Sequence, residues 1–539
     1  MKKKIPIGID DFDKLIRENY YFVDKSLFLK EIIETESSET ILLPRPRRFG
    51  KSLNMSMMKY FFINKNAEKN RELFKGLLIE KEESVMELQG KYPVIYISFK
   101  DVKELNWNKC FEKTKNLIQN VFSDYEYLLK DENLSIVNKR KLEKIILDEA
   151  NQSEYEESLK LLSELLYDYH GIKPIVLIDE YDQPIIASHL NGYYKEGISF
   201  FRNMYSAVLK DNVALKKAVM TGILRVAKES IFSGLNNLWV DSLLNNKINF
   251  FGLSENEVKE MINHYEIDYK MKDIKEWYNG YVFGKDLVYN PWSIISFIKS
   301  EELRPHWVNT SSNDLIKESL SNISKVDYNK LIDLADQKSI NVIIEENISL
   351  EMIDNPEVIW NLMLFSGYLT LNNKKELVFP NKEVRNFYTE QFKKLAGYNA
   401  NTFNSLLNYL IKKDLKNFKG LLGELFLTAV SYYDVGKEEK YYHNLILGFV
   451  FGLEDRYIIK SNREYGTGRV DLLLKSKDGI LPNYIFEFKV SKKEEELEKD
   501  AKKALAQIKE KIYGIELEKP VNIGISFFKK KIKILVEED

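Results

Sequence analysis

Residues 40–53 have the residue types and the spacing of a phosphate-binding loop. A short apolar run ends at Pro44, an arginine-rich turn follows, and Gly50-Lys51-Ser52 begins a pattern with helical period. The first turn of a helix presents unpaired backbone N–H groups and a positive dipole end to an anion. In such a loop the lysine reaches the β- and γ-phosphates of a nucleotide, and the serine hydroxyl binds Mg²⁺. The sequence therefore predicts an ATP site at which Lys51 binds phosphate and Ser52 binds the metal.

One position of this loop departs from the general pattern. Arg45 stands where a glycine is expected, five residues before Gly50. An ordinary helix start after a turn is therefore an alternative interpretation of the glycine-lysine-serine triplet. Arginine is much scarcer than lysine in this chain, and a guanidinium holds phosphate through two parallel hydrogen bonds. We therefore expect Arg47 and Arg48 to bind the nucleotide as well.

Two further predicted strands end in polar residues. An apolar segment ends in Asp179 and Glu180, and in an open α/β sheet ligands bind at the carboxyl ends of the strands. We expect Asp179 to complete the Mg²⁺ shell and Glu180 to polarise the attacking water. The predicted strand 217–223 ends near the same edge. Thr221 is therefore a candidate sensor of the γ-phosphate, and Arg225 could contact this phosphate from the following turn. The alternative is that Thr221 is an ordinary turn residue and Arg225 a surface arginine.

A third group of residues lies near the C-terminus, on a predicted β-hairpin. Asp478-Gly479 is a strong turn signal, and alternation places Glu487 and Lys489 on one face of the second strand, next to Asp471 on the first. Carboxylate oxygens suit Mg²⁺, which activates a bound water for phosphodiester cleavage. We predict that Asp471 and Glu487 bind the metal and that Lys489 orients the water. A solvated hairpin with a cross-strand Glu–Lys pair is the alternative.

Composition and charge exclude several classes of function. The 80 basic and 82 acidic residues give a formal net charge of -2, so nucleic-acid contacts must come from local patches. One cysteine excludes a disulfide framework and a Cys-based zinc site. Asp10 and Asp11 interrupt the basic start before any apolar region, and no apolar stretch reaches the roughly 18 residues of a membrane span. We expect a cytoplasmic protein without a membrane segment.

The remaining pattern predicts the elements that carry these residues. Residues 93–99 form an apolar, β-branched run typical of a buried strand in a parallel sheet. The Met-rich segment 53–62 has helical period and is expected in the core. Ser254 and Glu257 form a predicted capping box at a helix start, and residues 365–369 are predicted as a strand.

Four runs of residues resemble one known family. They are residues 21–26, 45–53, 177–182 and 221–237. Together they resemble the bacterial AAA-ATPase-like proteins that carry a C-terminal PD-(D/E)XK nuclease domain. In that family the arginine-rich loop without its first glycine is the usual form. The pattern of Asp471, Glu487 and Lys489 is similar to the PD-(D/E)XK motif.

The resemblance implies an α/β fold with a P-loop NTPase parallel sheet and a helical lid, plus a C-terminal α/β restriction-endonuclease-like domain. It implies an AAA-ATPase-like domain at 1–250, a helical lid and connecting region at 251–400, and a nuclease-like domain at 401–539. It also adds two site residues. Glu439 is similar to an acidic residue of the first nuclease helix that supports the metal, and Gln507 to a polar helix residue that faces the substrate.

These observations predict a hydrolase with an ATPase site and a Mg²⁺-dependent nuclease site, whose cofactors are ATP and Mg²⁺. ATP binding or hydrolysis is expected to control the cleavage of nucleic acid, with DNA favoured over RNA. Assembly into a homo-oligomer is an open expectation. Two alternatives also stay open: a nucleotide-gated regulatory or partner-binding protein with an inactive nuclease fold, and a phosphate-binding scaffold without hydrolysis.

Overall fold

The computed structural model places most of the chain in two compact units. It describes residues 2–35, 39–226, 237–308, 327, 330–331, 333–334, 337–348, 350, 356–395, 400–429, 442–443, 446–447, 450, 453, 456–465, 468–511 and 517–538. The N-terminal unit is Met1–Ile323 with Ser339–Val384, and the C-terminal unit is Ser324–Lys338 with Arg385–Asp539. The chain therefore passes between the units three times. The predicted boundaries at 250 and 400 fall inside these units and stay predictions.

The N-terminal unit contains short strands and many helices. Its strands are β1 (Thr40–Pro44), β2 (Val94–Ser98), β3 (Ile175–Asp179), β4 (Lys217–Gly222), β5 (Arg225–Val226), β6 (Leu238–Val240), β7 (Tyr281–Phe283), β8 (Asp286–Val288), β9 (Asn347–Ile348), β10 (Thr370–Leu371) and β11 (Leu377–Val378). Its α-helices are α1 (Phe12–Arg17), α2 (Phe28–Glu34), α3 (Lys51–Phe62), α4 (Ala67–Arg71), α5 (Glu83–Met86), α6 (Trp107–Ser123), α7 (Ile136–Ile146), α8 (Gln152–Glu156), α9 (Ser158–His170), α10 (Gln183–Leu190), α11 (Tyr194–Leu209), α12 (Glu255–Tyr265), α13 (Met271–Tyr278), α14 (Pro291–Ser300) and α15 (Pro356–Phe365). Helix α16 (Lys382–Leu395) begins here and continues into the other unit.

A parallel sheet in the order β2-β3-β4-β1-β6 forms the centre of the N-terminal unit. Strands β1 and β3 are buried along their whole length and are apolar apart from Thr40 and Asp179, as expected of a parallel sheet covered by helices. Strand β4 lies between β1 and β3 and pairs with both. The carboxyl ends of these three strands therefore meet at one edge, which carries the loop after β1, Asp179 and Thr221. The predicted parallel α/β sheet is confirmed.

A helical layer formed by α12, α13 and α14 follows the sheet in the chain. These helices share a core that includes Ile274 and Phe297, and the hairpin β7–β8 connects α13 to α14. The predicted capping box begins α12: the Ser254 hydroxyl accepts from the Glu257 N–H, and the Glu257 carboxylate accepts from the Ser254 N–H. This layer lies within the region predicted as a helical lid, and its role as a lid stays a prediction.

The prediction of a strand at 365–369 is wrong. Helix α15 continues to Phe365, and Gly367 turns the chain with a φ of +86° before β10 begins at Thr370. A Cβ on Gly367 would lie 2.9 Å from the Cβ of Pro46. This turn therefore approaches the loop after β1 so closely that it needs glycine.

A buried carboxylate connects the helical layer to the start of α16. Glu383 is fully buried and accepts hydrogen bonds from the Ser293 hydroxyl and from the backbone N–H groups of His306 and Trp307. Burial raises the pKa of Glu383 to about 7, and these donors oppose the rise.

The stability of the N-terminal unit is expected to depend on pH through Glu383. Because its pKa is higher in the folded than in the unfolded chain, its proton stabilises the fold below about pH 4, and this contribution is lost as the pH rises through about 7. Urea unfolding from pH 4 to pH 8 measures it for the wild type and for Glu383→Gln, whose amide stays neutral. The free energy of unfolding of the variant should change less over this range. Identical pH slopes for both proteins would contradict this role of Glu383.

The C-terminal unit contains a mixed sheet with helices. Its strands are β12 (Tyr457–Tyr465), β13 (Gly468–Ser476), β14 (Tyr484–Val490), β15 (Val521–Phe528) and β16 (Lys531–Glu538), and its helices include α17 (Ala400–Ile411), α18 (Leu415–Ala429) and α19 (Leu497–Glu510). The sheet has the order β12-β13-β14-β15-β16, in which β14 and β15 are parallel and the other neighbours are antiparallel. The predicted hairpin turn at Asp478-Gly479 is confirmed, with a φ of +72° at the glycine.

Helix α19 connects β14 to β15 and packs on the sheet. A Cβ on Gly524 of β15 would lie 2.6 Å from the carbonyl oxygen of Ala501, so a glycine is required where helix and strand approach each other. Across the parts of the chain that the structure describes, no helix has both the length and the apolar character needed to cross a membrane.

Candidate functional site

The loop after β1 forms the N-terminus of α3. Gly50 immediately precedes the helix and has a φ of +86°, which glycine adopts without strain. The Lys51 side chain is buried and folds back over the loop, with its Nζ 3.1 Å from the carbonyl oxygens of both Arg45 and Pro46. Burial lowers the pKa of Lys51, and the carboxylates at the end of β3 oppose this shift. The ammonium group is therefore held by loop carbonyls, contacts that a phosphate can replace.

Arg45, the residue in place of the expected glycine, is part of the core. Its side chain is fully buried and pairs with Asp241, which follows β6, at an N–O distance of 2.5 Å. The guanidinium also donates to the backbone carbonyls of Asp241 and Pro44 and to the Asn246 side chain, and it lies 4.9 Å from the centre of the Phe251 ring. Arg45 therefore anchors the loop to the segment that follows β6.

Asp179, at the end of β3, is the centre of a hydroxyl cluster. Thr221 donates to it at 2.6 Å and Ser98 at 3.2 Å, and the Ser52 hydroxyl hydrogen-bonds to it as well. Burial raises the pKa of Asp179, the charge of Glu180 adds to the rise, and the hydroxyl groups oppose it. The structure thus brings together Ser52, Asp179 and Thr221, the residues predicted to surround Mg²⁺ and the γ-phosphate.

Two acidic residues beside Asp179 differ in their surroundings. Glu180 has a φ of +51°, a left-handed conformation that costs energy for any residue except glycine and that is often found at functional sites. Asp182 is buried and accepts the backbone N–H groups of Ile223 and Leu224, both at 2.8 Å. Burial raises the pKa of Asp182 to about 6. Asp182 thus fixes the turn after Thr221, a role that only the pairing of β3 with β4 reveals.

The arginines predicted to bind nucleotide lie in different environments. Arg225, in β5, pairs with Glu346 at 3.3 Å, and β5 pairs in parallel with β9. Arg48 has a φ of +68°, and its guanidinium lies 4.1 Å from the centre of the Trp292 ring. Arg47 precedes it in the same turn. The contacts of Arg47, Arg48 and Arg225 with a nucleotide stay predictions.

In the C-terminal unit the pairing of β13 with β14 places two carboxylates side by side. Leu472 pairs with Phe486 in this antiparallel ladder, so Asp471 lies opposite Glu487 in the next pair. The Asp471 carboxylate accepts from the Phe488 N–H at 2.8 Å, and Glu487 is only 1% exposed. Burial raises the pKa of both carboxylates. For Glu487 the charge of Asp471 adds to this effect, and its pKa rises to about 8.

Two other predicted residues contact the same glutamate. Lys489 Nζ lies 3.5 Å from Glu487 Oε1, and Gln507 of α19 donates a hydrogen bond to this oxygen. The second oxygen, Oε2, is buried and has no hydrogen-bond partner among the described residues, although the nearby backbone N–H of Asp471 favours the charged form of the carboxylate. A buried carboxylate oxygen without a donor is costly. A bound cation would remove this cost.

Asp471 and Glu487 fit a hard divalent cation. Mg²⁺ in proteins is held by one or two carboxylates and keeps several of its waters, so this pair is a sufficient protein ligand set. Within the described ranges, no three His, Cys, Asp or Glu side chains converge on one point. The third predicted metal residue of the nuclease site, Glu439, lies outside the described residues.

Two further residues lie close to Asp471. His443 is buried, and its Nε2 lies 2.8 Å from the Asp471 carbonyl oxygen and 3.1 Å from Ser461 Oγ. This histidine therefore supports the backbone of β13. Arg469 is exposed, and its charge, like that of Lys489, favours the ionised form of Asp471.

Comparison with known proteins gives matches to both regions. Residues 6–232 match the family model described as a predicted AAA-ATPase, and residues 437–537 match the model of the PD-(D/E)XK nuclease superfamily. The chain is also 26% identical over 549 residues to a protein of Azotobacter chroococcum mcd 1 described as "Uncharacterized protein in vnfD 5'region", and this alignment covers 95% of this chain and 93% of that protein. The loop after β1 and the end of β3 lie within the first match, and the two carboxylates of β13 and β14 lie within the second. The chain therefore combines an AAA-ATPase-like domain with a domain of the PD-(D/E)XK nuclease superfamily.

Proposed function

We propose that this protein is an ATP-controlled, Mg²⁺-dependent nuclease that cleaves phosphodiester bonds in DNA. The observation that carries the proposal is the environment of the Glu487 carboxylate. It is buried, it lies across from Asp471, and its Oε2 atom has no donor among the described residues. A buried glutamate oxygen without a partner lowers stability, so its presence is best explained by a role as a cation ligand.

At the nuclease site each residue has a distinct role. Asp471 and Glu487 hold Mg²⁺, and the bound metal supplies a water of lowered pKa and stabilises negative charge at the phosphate. Gln507 fixes the Glu487 carboxylate through Oε1 and leaves Oε2 for the metal. Lys489 orients the water and offsets the negative charge of the substrate.

At the nucleotide site the N-terminus of α3 and Lys51 bind the phosphates of ATP. Ser52 and Asp179 hold the accompanying Mg²⁺, and the hydrogen bond between these two side chains supports this assignment. Glu180 polarises the attacking water. Thr221 donates its hydroxyl hydrogen to Asp179 in this structure, and the same hydroxyl would turn to donate to the γ-phosphate when ATP binds.

The path of the chain supports control of cleavage by ATP. Arg225 lies in the short strand after the Thr221 turn and pairs with Glu346. Glu346 belongs to the segment by which the chain returns from the C-terminal unit to the N-terminal unit. An Arg225 side chain that turns to the γ-phosphate would break this ion pair and leave Glu346 with the hydroxyl of Ser242 as its partner. Binding of ATP would thereby change the contacts of a segment that directly follows one passage of the chain between the units.

Plasmid cleavage tests the proposal. Supercoiled plasmid is incubated with the protein and Mg²⁺, with or without ATP, beside a sample with a chelator. We expect nicking that requires Mg²⁺ and increases with ATP. The rate should be about a hundredfold lower for Lys489→Ala, because a positioned cationic donor at the developing negative charge contributes this much or more. Lys492→Ala, which removes an exposed lysine nearby, should cleave like the wild type.

Parallel reactions with a single-stranded RNA of matched length identify the preferred nucleic acid. Equal cleavage by the wild type and Lys489→Ala would overturn the nuclease assignment. A wild type that binds ATP but cleaves nothing with Mg²⁺ or Mn²⁺ would favour the regulatory protein with an inactive nuclease fold.

A further inference from the structure

The hairpin β7–β8 and the start of α14 contact the arginine-rich loop. The Phe49 ring lies 5.0 Å from the rings of both Tyr281 and Phe283. Asn290 caps α14 through its side-chain oxygen, and its amide nitrogen lies 3.5 Å from the Arg47 carbonyl oxygen. The helical layer and its hairpin therefore hold the loop on both sides of Arg48.

That residue, Arg48, is in an unusual conformation. Its φ of +68° is left-handed, which is uncommon and costly for a residue with a side chain. Its guanidinium lies 4.1 Å from the centre of the Trp292 ring, in the first turn of α14. A cation this close to an indole is attracted by the electrons of the ring.

The contact with Trp292 gives the hydrogen-bond donors of Arg48 no oxygen acceptor. A guanidinium that stacks on a ring uses its flat face, while its N–H groups point outward in its own plane. The Arg48 side chain makes no hydrogen bond or close ion pair with another described residue, although the charges of Glu180 and Asp10 act on it. A strained backbone thus holds a cation beside the predicted ATP site, and no described residue accepts a hydrogen bond from it.

We propose that Trp292 is a positioning residue for nucleotide binding: it holds the Arg48 guanidinium so that its N–H edge contacts the phosphates of ATP. The inference rests on the proposed ATP site. Because the ring already restricts the long arginine side chain, less conformational entropy is lost when the phosphate binds. A residue of the helical layer thereby positions an arginine of the loop, which lacks the first glycine of the general pattern.

A double-mutant cycle on the full chain tests the proposal. ATP affinity is measured by titration calorimetry for the wild type, Trp292→Leu, Arg48→Met and the double variant. We expect Trp292→Leu to weaken ATP binding about three- to tenfold, the range of a partly desolvated cation–π contact. The double variant should bind no more weakly than Arg48→Met alone, because Trp292 acts through Arg48.

Trp277→Phe is the matched control. Trp277 also lies in the helical layer, is partly buried, and has a lysine, Lys382, 4.8 Å from its ring centre. This variant should bind ATP like the wild type. If Trp292→Leu does not fold, Trp292→Met takes its place in the same cycle, because it also removes the aromatic ring.

The outcomes separate this inference from the proposed function. A wild type that binds no ATP overturns the ATP site itself. A wild type that binds ATP, together with unchanged affinity in Trp292→Leu or with additive losses in the double variant, overturns the role of Trp292 and leaves the ATP site intact.

Discussion

Glutamine in place of Glu487 is expected to abolish Mg²⁺-dependent cleavage, with a loss of rate of at least about a thousandfold. The amide has nearly the shape of the carboxylate and can still accept the hydrogen bond from Gln507, but it lacks the charge that holds a cation. Initial rates over a range of Mg²⁺ concentrations measure the effect. Glu498→Gln, which neutralises an exposed carboxylate of α19, should cleave at the wild-type rate.

A second readout of the same variant does not depend on activity. Mg²⁺ that binds the folded protein raises its melting temperature by mass action, so the wild type should be stabilised by Mg²⁺ more than Glu487→Gln is. Without metal, the variant should be at least as stable as the wild type above about pH 8, because burial raises the pKa of Glu487 to about 8 and opposes its charged form. Equal stabilisation of both proteins by Mg²⁺ would show that Glu487 is not a ligand.

Alanine in place of Asp241 is expected to destabilise the N-terminal unit by about 3–5 kcal/mol, because it leaves the buried guanidinium of Arg45 without an opposite charge. Urea unfolding followed by tryptophan fluorescence measures the change. Glu266→Ala removes one partner of an exposed pair with Lys2 and should cost less than about 1 kcal/mol.

The double variant Arg45→Met, Asp241→Leu tests the physical cause of this loss. Replacing both charges by apolar side chains of similar size removes the unpaired charge, so it should recover much of the stability lost in Asp241→Ala. The Asp241 carboxylate also accepts hydrogen bonds from the backbone N–H groups of Lys247 and Ile248. A double variant that is no more stable than Asp241→Ala would show that the loss of these hydrogen bonds, rather than the unpaired charge, causes the effect.

The sequence predicts those parts of the two sites whose geometry depends only on residues that are neighbours in the chain. Gly50, Lys51 and Ser52 follow a strand and begin a helix, so their arrangement at the start of α3 depends on neighbouring residues alone. The alternation of β14 likewise places Glu487 and Lys489 on one face, and the structure brings them into contact. Gln507 was expected only through the family resemblance, because its contact with Glu487 depends on how α19 crosses between β14 and β15.

Contacts between distant parts of the chain were not predictable in the same way. Arg45 lies close to Lys51 in sequence, yet its partner Asp241 reaches it only because β6 pairs with β1. Residues 365–369 have the apolar character of a strand, but the approach of Gly367 to Pro46 requires a turn. In the sequence, Asp182 is one of several acidic residues after the apolar segment that ends at Asp179. Its role depends on the turn after β4, whose backbone N–H groups it accepts.

The repeated passage of the chain between its two units has a practical consequence for dissecting the protein. A gene fragment that starts at Arg385 would encode most of the C-terminal unit but would omit Ser324–Lys338, and with it the buried side chains of Leu331 and Leu334. A fragment that stops before Ser324 would omit Ser339–Val384 from the N-terminal unit. One cut does not separate the two units, so each activity is better isolated by point substitution in the intact polypeptide than by truncation.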